Sequence, residues 1–288
     1  MDLKSGYPYW SIRNGLIQAF PPLEADLHCD VLVVGGGITG ALIADELSAH
    51  GHEVALIEQR DIGWGSTAAS TALLQYEIDT HLLDLARQYG EQDAALAYQA
   101  CAEALLQLRD VTRGLRGVDF RQMDSVYLAS KSRHVPLLQA EGKARRRHGL
   151  DARWLDAGAL RERMDMDGNG ALLTRQAARV DPYCLTYRLL ERVKRRGGHV
   201  HDRTVLHTLQ PTARGVTART EQGVQVRARH VVLAQGYANQ QWLDTRVARN
   251  RSSYALITDP LRQDELAALA GTMGWGSARP YLYLRSTG

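Results

Sequence analysis

Between Asp30 and Arg60 the chain reads DVLVVGGGITGALIADELSAHGHEVALIEQR. Gly35, Gly37 and Gly40 fall in G-x-G-x-x-G spacing, and the acid Glu58 follows roughly 20 residues on, a set that suits a nucleotide pyrophosphate and its ribose. The three glycines do different things. Gly35 permits a tight turn, Gly37 lets backbone approach a pyrophosphate, and Gly40 lets a helix pack closely on a sheet. Ile38 and Thr39 complete the loop at a helix start, where free N–H groups and the positive end of the dipole favour an anion. The Glu58 carboxylate accepts hydrogen bonds from ribose hydroxyls and repels a ribose phosphate. NADP is therefore disfavoured, and NAD and FAD stay open.

The elements that must hold these residues are legible beside them. Val31–Val34 is an apolar run suited to a strand buried on both faces, Ala41–Leu47 is helical, and Val54–Ile57 is a second buried strand ending at Glu58. An NAD enzyme would continue into another strand–helix unit. Here the chain enters a loop carrying Gly63 and Gly65, then the small residues Ser66-Thr67-Ala68-Ala69-Ser70-Thr71. Such residues let a large ligand lie along the backbone, and the Ser66 and Thr67 hydroxyls suit phosphate or ribityl oxygens. Taken alone, the same run also reads as a helix cap with a small packing face.

With VLVVGGGITGALIADEL, ALIEQRDIGWGSTAASTALL, TVLHTL and HVVLAQGYANQQWL in that order, the chain resembles the FAD-dependent D-amino acid oxidase superfamily, in its glycine oxidase and sarcosine oxidase branch. The resemblance runs with gaps from about Cys29 to the last residue. It implies an α/β fold, a Rossmann-type FAD-binding domain with a second, mixed-sheet substrate domain. It also implies a cofactor, FAD, with Gly35, Gly37 and Gly40 at the pyrophosphate, Glu58 on ribose, and Gln59 and Arg60 beside the adenosine. Ser66 and Thr67 would meet phosphate and ribityl oxygens, and the backbone of Ala72, Leu73 and Leu74 would run under the flavin ring. Val205 would hold the adenine edge through its main chain. Ala234, Gln235 and Gly236 stand where the family has Ala-Thr-Gly or Ala-Ser-Gly. Gln235 departs from that pattern, and no specific bond is assigned to it.

The rest of the chain divides accordingly: residues 1–28 as a lead-in without a functional reading, 29–117 and 178–245 as the FAD-binding domain, and 118–177 with 246–288 as the substrate domain. Two helices are expected over His81–Gly90 and Glu91–Arg113, the second with a core stripe of Leu96, Ala100, Ala104, Leu105 and Leu108. Asp181-Pro182 opens a further helix with a capping acid and a proline in its first turn. Strands are expected at Thr204–Leu209, Val216–Thr220 and His230–Ala234, and again in SSYALITDP and PYLYLR. Substrate-side candidates are Tyr281, which matches a family tyrosine, and Arg285 on the same strand, with Tyr254 and Arg251 behind them. An arginine fork suits a carboxylate, while sheet packing with snorkelling arginines is the competing reading. Family members continue past the turn after PYLYLRSTG with more sheet strands, a carboxylate-gripping arginine and a last glycine-rich flavin contact. The expectation is thus a fragment or a C-terminally shortened protein.

A net charge of +3 over 288 residues does not argue for nucleic acid or an acidic membrane, and the runs KARRRHG, RVKRRGG and RVARNR lack interleaved aromatics. Three isolated cysteines argue against a disulfide framework or a zinc site. No metal-ligand pattern occurs among the histidines, and no G-x-S-x-G elbow is present. Without an apolar run of signal-peptide or bilayer length, the reading is a soluble cytoplasmic protein with no membrane partner. The expected function is FAD-dependent oxidation of a small-molecule amine or amino acid by hydride transfer to flavin. The alternatives are a nucleotide-binding protein or fragment without turnover, and a flavin-dependent alcohol dehydrogenase of the glycerol-3-phosphate kind. Catalytic residues, electron acceptor and oligomeric state carry no sequence signal.

Overall fold

The computed structural model describes residues 6–249, 254–259, 262, 271–279 and 281–286. In chain order, α1 (Tyr9–Asn14) leads to β1 (Leu27–Val34), α2 (Ile38–Ala49) and β2 (Val54–Ile57). β3 (Leu73–Gln75) precedes α3 (Leu82–Tyr89) and α4 (Glu91–Thr112). Then come β4 (Arg121–Leu128), α5 (Val135–Arg147), β5 (Arg153–Leu155), α6 (Ala157–Met164) and β6 (Ala171–Arg179). α7 (Pro182–Arg195) is followed by β7 (His199–His201), β8 (Leu206–Thr212), β9 (Gly215–Thr220) and β10 (Gln225–Leu233), and β11 (Thr272–Gly276) and β12 (Tyr283–Arg285) lie last.

The chain forms two compact units. The first comprises Met1–Thr71, Leu115–Val118 and Asp181–Ile257. Its sheet has the order β7-β2-β1-β10-β9-β8, parallel from β7 to β10 and antiparallel beyond. Leu32, Val33, Ala55, Leu56 and Ile57 are fully buried, as strands covered on both faces should be. Parallel pairing of β1 with β2 requires a crossover, which α2 provides. The Asp45 carboxylate on α2 accepts from Arg192 Nε at 2.7 Å and Arg196 Nη1 at 2.9 Å, tying α2 to α7. Arg192 and Arg196 of the RVKRRGG run thus spend their charge on Asp45, while Lys194 and Arg195 face solvent. Asp181 caps α7 as expected, accepting from Cys184 N at 2.8 Å.

The second unit comprises Ala72–Gly114, Asp119–Val180 and Thr258–Gly288. Its sheet is mixed, β12-β11-β4-β6-β3, with β5 also on β6. Residues 72–114 therefore belong here and not with the nucleotide part. β3 pairs with β6, and Tyr76, Leu82, Tyr98 and Ala102 share one apolar cluster with Ala144 and Leu150. The stripe expected on α4 is also shifted. Ala94, Ala95, Tyr98, Ala102 and Thr112 are the buried positions, Leu96 is 64% exposed, and Ala100 and Ala104 face solvent. Alanine is a strong helix former wherever it faces, so its spacing marks the helix better than the buried side. SSYALITDP is not a strand over its described part: residues 254–258 have no regular structure and are exposed. β11 was not anticipated, because TMGWG is short and carries two glycines.

Candidate functional site

The first unit gathers most of the residues expected at a nucleotide site around the start of α2. Gly35 sits at φ +116°, which an L-residue rarely adopts, and its N–H donates to the Ile57 carbonyl at 2.8 Å. A Cβ on Gly40 would fall on the Gly35 carbonyl oxygen, so the close packing expected of the third glycine is present. Gly37 is the N-cap of α2 and lends it no side-chain hydrogen bond, leaving the first-turn N–H groups to other partners. One of them is already spoken for: Ile38 N donates to Thr67 Oγ1 at 3.0 Å. A hydroxyl that accepts this bond keeps its own proton to donate to an anionic oxygen. Thr67 thereby joins the small-residue loop to the helix start, whereas Ser66 is exposed beside it.

The Glu58 carboxylate lies over the same turn. It accepts from Gly36 N at 2.7 Å and from Arg60 N at 3.0 Å, which fixes its orientation and leaves lone pairs for a ribose. Gly36 has no room for a side chain, since a Cβ would stand 2.5 Å from Ile62 Cδ1 and 2.9 Å from Glu58 Cβ. Gln59 is exposed next to it. Val205, expected at the adenine edge, accepts from Glu221 N at 3.0 Å through its carbonyl. Ala234 N donates to the Val34 carbonyl at 2.7 Å. The Gln235 amide turns to Trp242, whose indole N–H donates to Gln235 Oε1 at 2.7 Å, and Gly236 follows at φ +60°. The long side chain that departs from the family pattern thus pins the 3₁₀ turn Gly236–Trp242.

The second unit holds Ala72, Leu73 and Leu74 on the way into β3, with Ala72 at φ +51° and 5% exposed. A buried non-glycine residue in the left-handed region is costly, which marks the turn as one that packing enforces. In this unit an open cleft of about 460 Å³ is lined by Asp79, His81, Arg87, Tyr127, Arg279 and Tyr281, among others. The Arg279 guanidinium lies 3.5 Å above the centre of the Tyr281 ring. Tyr281 Oη donates to the Asp79 carbonyl at 3.2 Å, and Tyr283 Oη donates to Asp79 Oδ1 at 3.1 Å. His81 Nε2 stands 2.9 Å from the Tyr127 hydroxyl. Burial lowers the His81 pKa and pushes the Tyr127 phenol up to about 12, so a neutral imidazole and a protonated phenol share this hydrogen bond.

The four substrate-side candidates are not brought together. Arg251 lies outside the described residues, and Tyr254 is 93% exposed. Tyr281 borders the cleft, but Arg285, which pairs with Met273, does not line it. The two lie four positions apart, about 13 Å along extended chain. Arg279 was not anticipated, since its stacking on Tyr281 depends on the turn between β11 and β12. Among the described residues no cluster of His, Cys, Asp or Glu could hold a metal, and no helix is long and apolar enough to cross a membrane.

The family model described as DAO, FAD dependent oxidoreductase, matches residues 30–288. The putative Rieske 2Fe-2S iron-sulfur protein YhfW of Bacillus subtilis is 29% identical over 204 residues, covering 68% of this chain and 38% of that protein. Gamma-glutamylputrescine oxidoreductase of Escherichia coli is 26% identical over 229 residues, covering 78% and 53%. The crystal structure of glycine oxidase from Geobacillus kaustophilus superposes with a TM-score of 0.61 at 23% identity, covering 74% of this chain and 57% of the other. The chain thus spans about half the length of the relatives it matches.

Proposed function

Since this chain belongs to the FAD-dependent oxidoreductase family, we propose that it contributes the cofactor-binding unit and part of the substrate unit of an enzyme that oxidises a small amine or amino acid. One observation carries the cofactor half. The start of α2, the fixed Glu58 carboxylate and the Thr67 hydroxyl converge around a turn whose glycines leave no space for side chains.

The residues fit FAD. Gly37 and the first turn of α2 would face the pyrophosphate, with the Thr67 hydroxyl donating to a phosphate oxygen. Glu58 would take the ribose hydroxyls, and the Val205 N–H an adenine acceptor. FAD, when bound, supplies a ring that accepts a hydride from the carbon next to the substrate nitrogen, and the imine so formed hydrolyses to a carbonyl compound and an amine. The tyrosines of the second unit orient rather than deprotonate. Tyr127 and Tyr283 are both held near 12, far above neutral, so they donate hydrogen bonds and do not act as bases. Arg279, which lines the cleft, is a group able to grip a substrate carboxylate, and Arg285 on β12 is a second candidate away from it.

The amine or amino-acid class is supported by the activities for which gamma-glutamylputrescine oxidoreductase and glycine oxidase are named. The purified protein should show oxidised-flavin absorption, or acquire it with added FAD. Anaerobic addition of amines and amino acids should bleach it. A protein that stays colourless with excess FAD would remove the cofactor reading. Flavin that no member of a broad panel bleaches would remove the substrate class.

A further inference from the structure

The lead-in, for which the sequence offered no function, reaches two of the segments that surround the nucleotide site. Trp10 is 2% exposed, and its indole N–H donates to the Ser70 carbonyl at 2.8 Å, at the far end of the small-residue loop. The ring of Tyr7 meets Trp64 edge-on at 6.2 Å, within the same loop. Asn14 Nδ2 donates to the Trp10 carbonyl at 3.0 Å and to Asp181 Oδ2 at 2.8 Å, anchoring α1 on the cap of α7. The inner side of the loop is tied to the glycine turn by Gly63 N on the Gly36 carbonyl at 2.9 Å and by Thr67 on Ile38. The loop is therefore held from within by the nucleotide turn and from without by α1.

Farther along, the same segment braces the ribose side. Phe20 N donates to Asp202 Oδ2 at 2.9 Å, Leu23 N to Thr204 Oγ1 at 3.0 Å, and Arg203 Nη2 to the Phe20 carbonyl at 2.6 Å. The turn so gripped bonds directly to the acceptor strand end, with Thr204 N on the Glu58 carbonyl at 2.8 Å and Arg203 N on the Arg60 carbonyl at 3.0 Å. Asp202 and Thr204 are 0% and 2% exposed. We propose that residues 7–23 act as a brace that presets both the Gly63–Ser70 loop and the Glu58–Arg60 segment for the cofactor, with Trp10 as its principal positioning residue. This rests on the FAD reading for its purpose. Preorganising a loop strengthens binding by removing the cost of ordering it when ligand arrives.

The test compares Trp10→Phe, which keeps a ring but loses the donor, and Tyr7→Ala, at a 75% exposed position where folding is not at risk, with Ile12→Ser on the solvent side of α1 as control. Amide exchange of the cofactor-free protein should rise at residues 63–70 in the first two variants and not in the control. FAD, added as the probe, should bind roughly three- to tenfold more weakly to Trp10→Phe, the scale of one lost hydrogen bond. Unchanged exchange at 63–70 in both variants overturns the brace. So does faster exchange spread equally through β1 and β10, which would mean general destabilisation of the first unit. Faster local exchange with unchanged FAD affinity overturns its link to the cofactor. A parent chain that binds no FAD defeats the nucleotide reading, while the exchange data still decide the brace.

Discussion

Replacing Glu77 by glutamine should make the protein more stable above neutral pH and leave it nearly unchanged near pH 5. Glu77 and Arg145 side chains are 2% and 1% exposed, with Arg145 Nη1 3.6 Å from Glu77 Oε1. Arg145 is shared: its Nε donates to Glu141 Oε1 at 2.8 Å, and Glu141 also accepts from Leu82 N at 2.8 Å and Leu83 N at 3.1 Å. Glu77 Oε2 has no hydrogen-bond partner among the described residues. One guanidinium thus faces two carboxylates in a dry site, and burial lifts the Glu77 pKa from an ordinary 4.5 to about 7, with Arg145 opposing. A carboxyl whose folded pKa is raised holds its proton longer in the native state, so stability falls as pH climbs from about 4.5 through 7. At about 1.4 kcal/mol per pH unit, the gap comes to about 3 kcal/mol once Glu77 is fully ionised. Urea unfolding of wild type and Glu77→Gln, followed by circular dichroism from pH 5 to pH 8, reads the difference directly. The variant should gain on wild type steadily across that range. Parallel pH profiles, or a variant less stable at pH 8, would refute the assignment of the excess charge to Glu77.

Three further outcomes follow from the same geometry. Glu58→Ala should weaken FAD binding by about 1.5–3 kcal/mol, the scale for hydrogen bonds to a charged group. A fluorescence titration with an unchanged Kd would displace Glu58 from the ribose. Gly40→Ala should abolish FAD binding and cost about 1–3 kcal/mol of stability through overpacking, while Gly274→Ala, where a Cβ meets nothing within 4 Å, should leave both unchanged. Equal melting and FAD titration curves for the two variants would contradict the close packing at α2. Cys29 and Cys184 are buried, with the Cys29 thiol pushed up to about 11 and that of Cys184 to about 12, whereas Cys101 is half-buried. Maleimide at pH 7.5 should therefore label native protein at Cys101 first and all three only after unfolding. Mass spectrometry showing Cys29 or Cys184 labelled at the rate of Cys101 would refute it.

The segment from β1 to β2 and its ligand class are legible without any tertiary contact. Buried strand, glycine turn, helix and acid occupy about 30 consecutive residues, and each follows from local chemistry: φ near +116° for Gly35, no room beside Gly40, a charge at the end of β2. The cap of α7 was equally legible, because Asp181 needs only Cys184, three residues away. The tertiary structure decided whatever depends on pairing across distance. KARRRHG reads only as a basic run without interleaved aromatics, yet Arg145 is 1% exposed against Glu77, a residue 68 positions earlier. The stripe on α4 lands on Tyr98 and Ala102 because Tyr76, Ala144 and Leu150 cover that side, which no periodicity within α4 specifies. Trp10 reaches Ser70 and Phe20 reaches Asp202 over 60 and 182 residues, so a lead-in with no motif of its own becomes a brace only once the fold has closed. Periodicity and turn chemistry report how a segment meets water and its own neighbours. Which distant side chain completes a buried hydrogen bond is set by the packing of the whole unit, and that information is not written in any one stretch of chain.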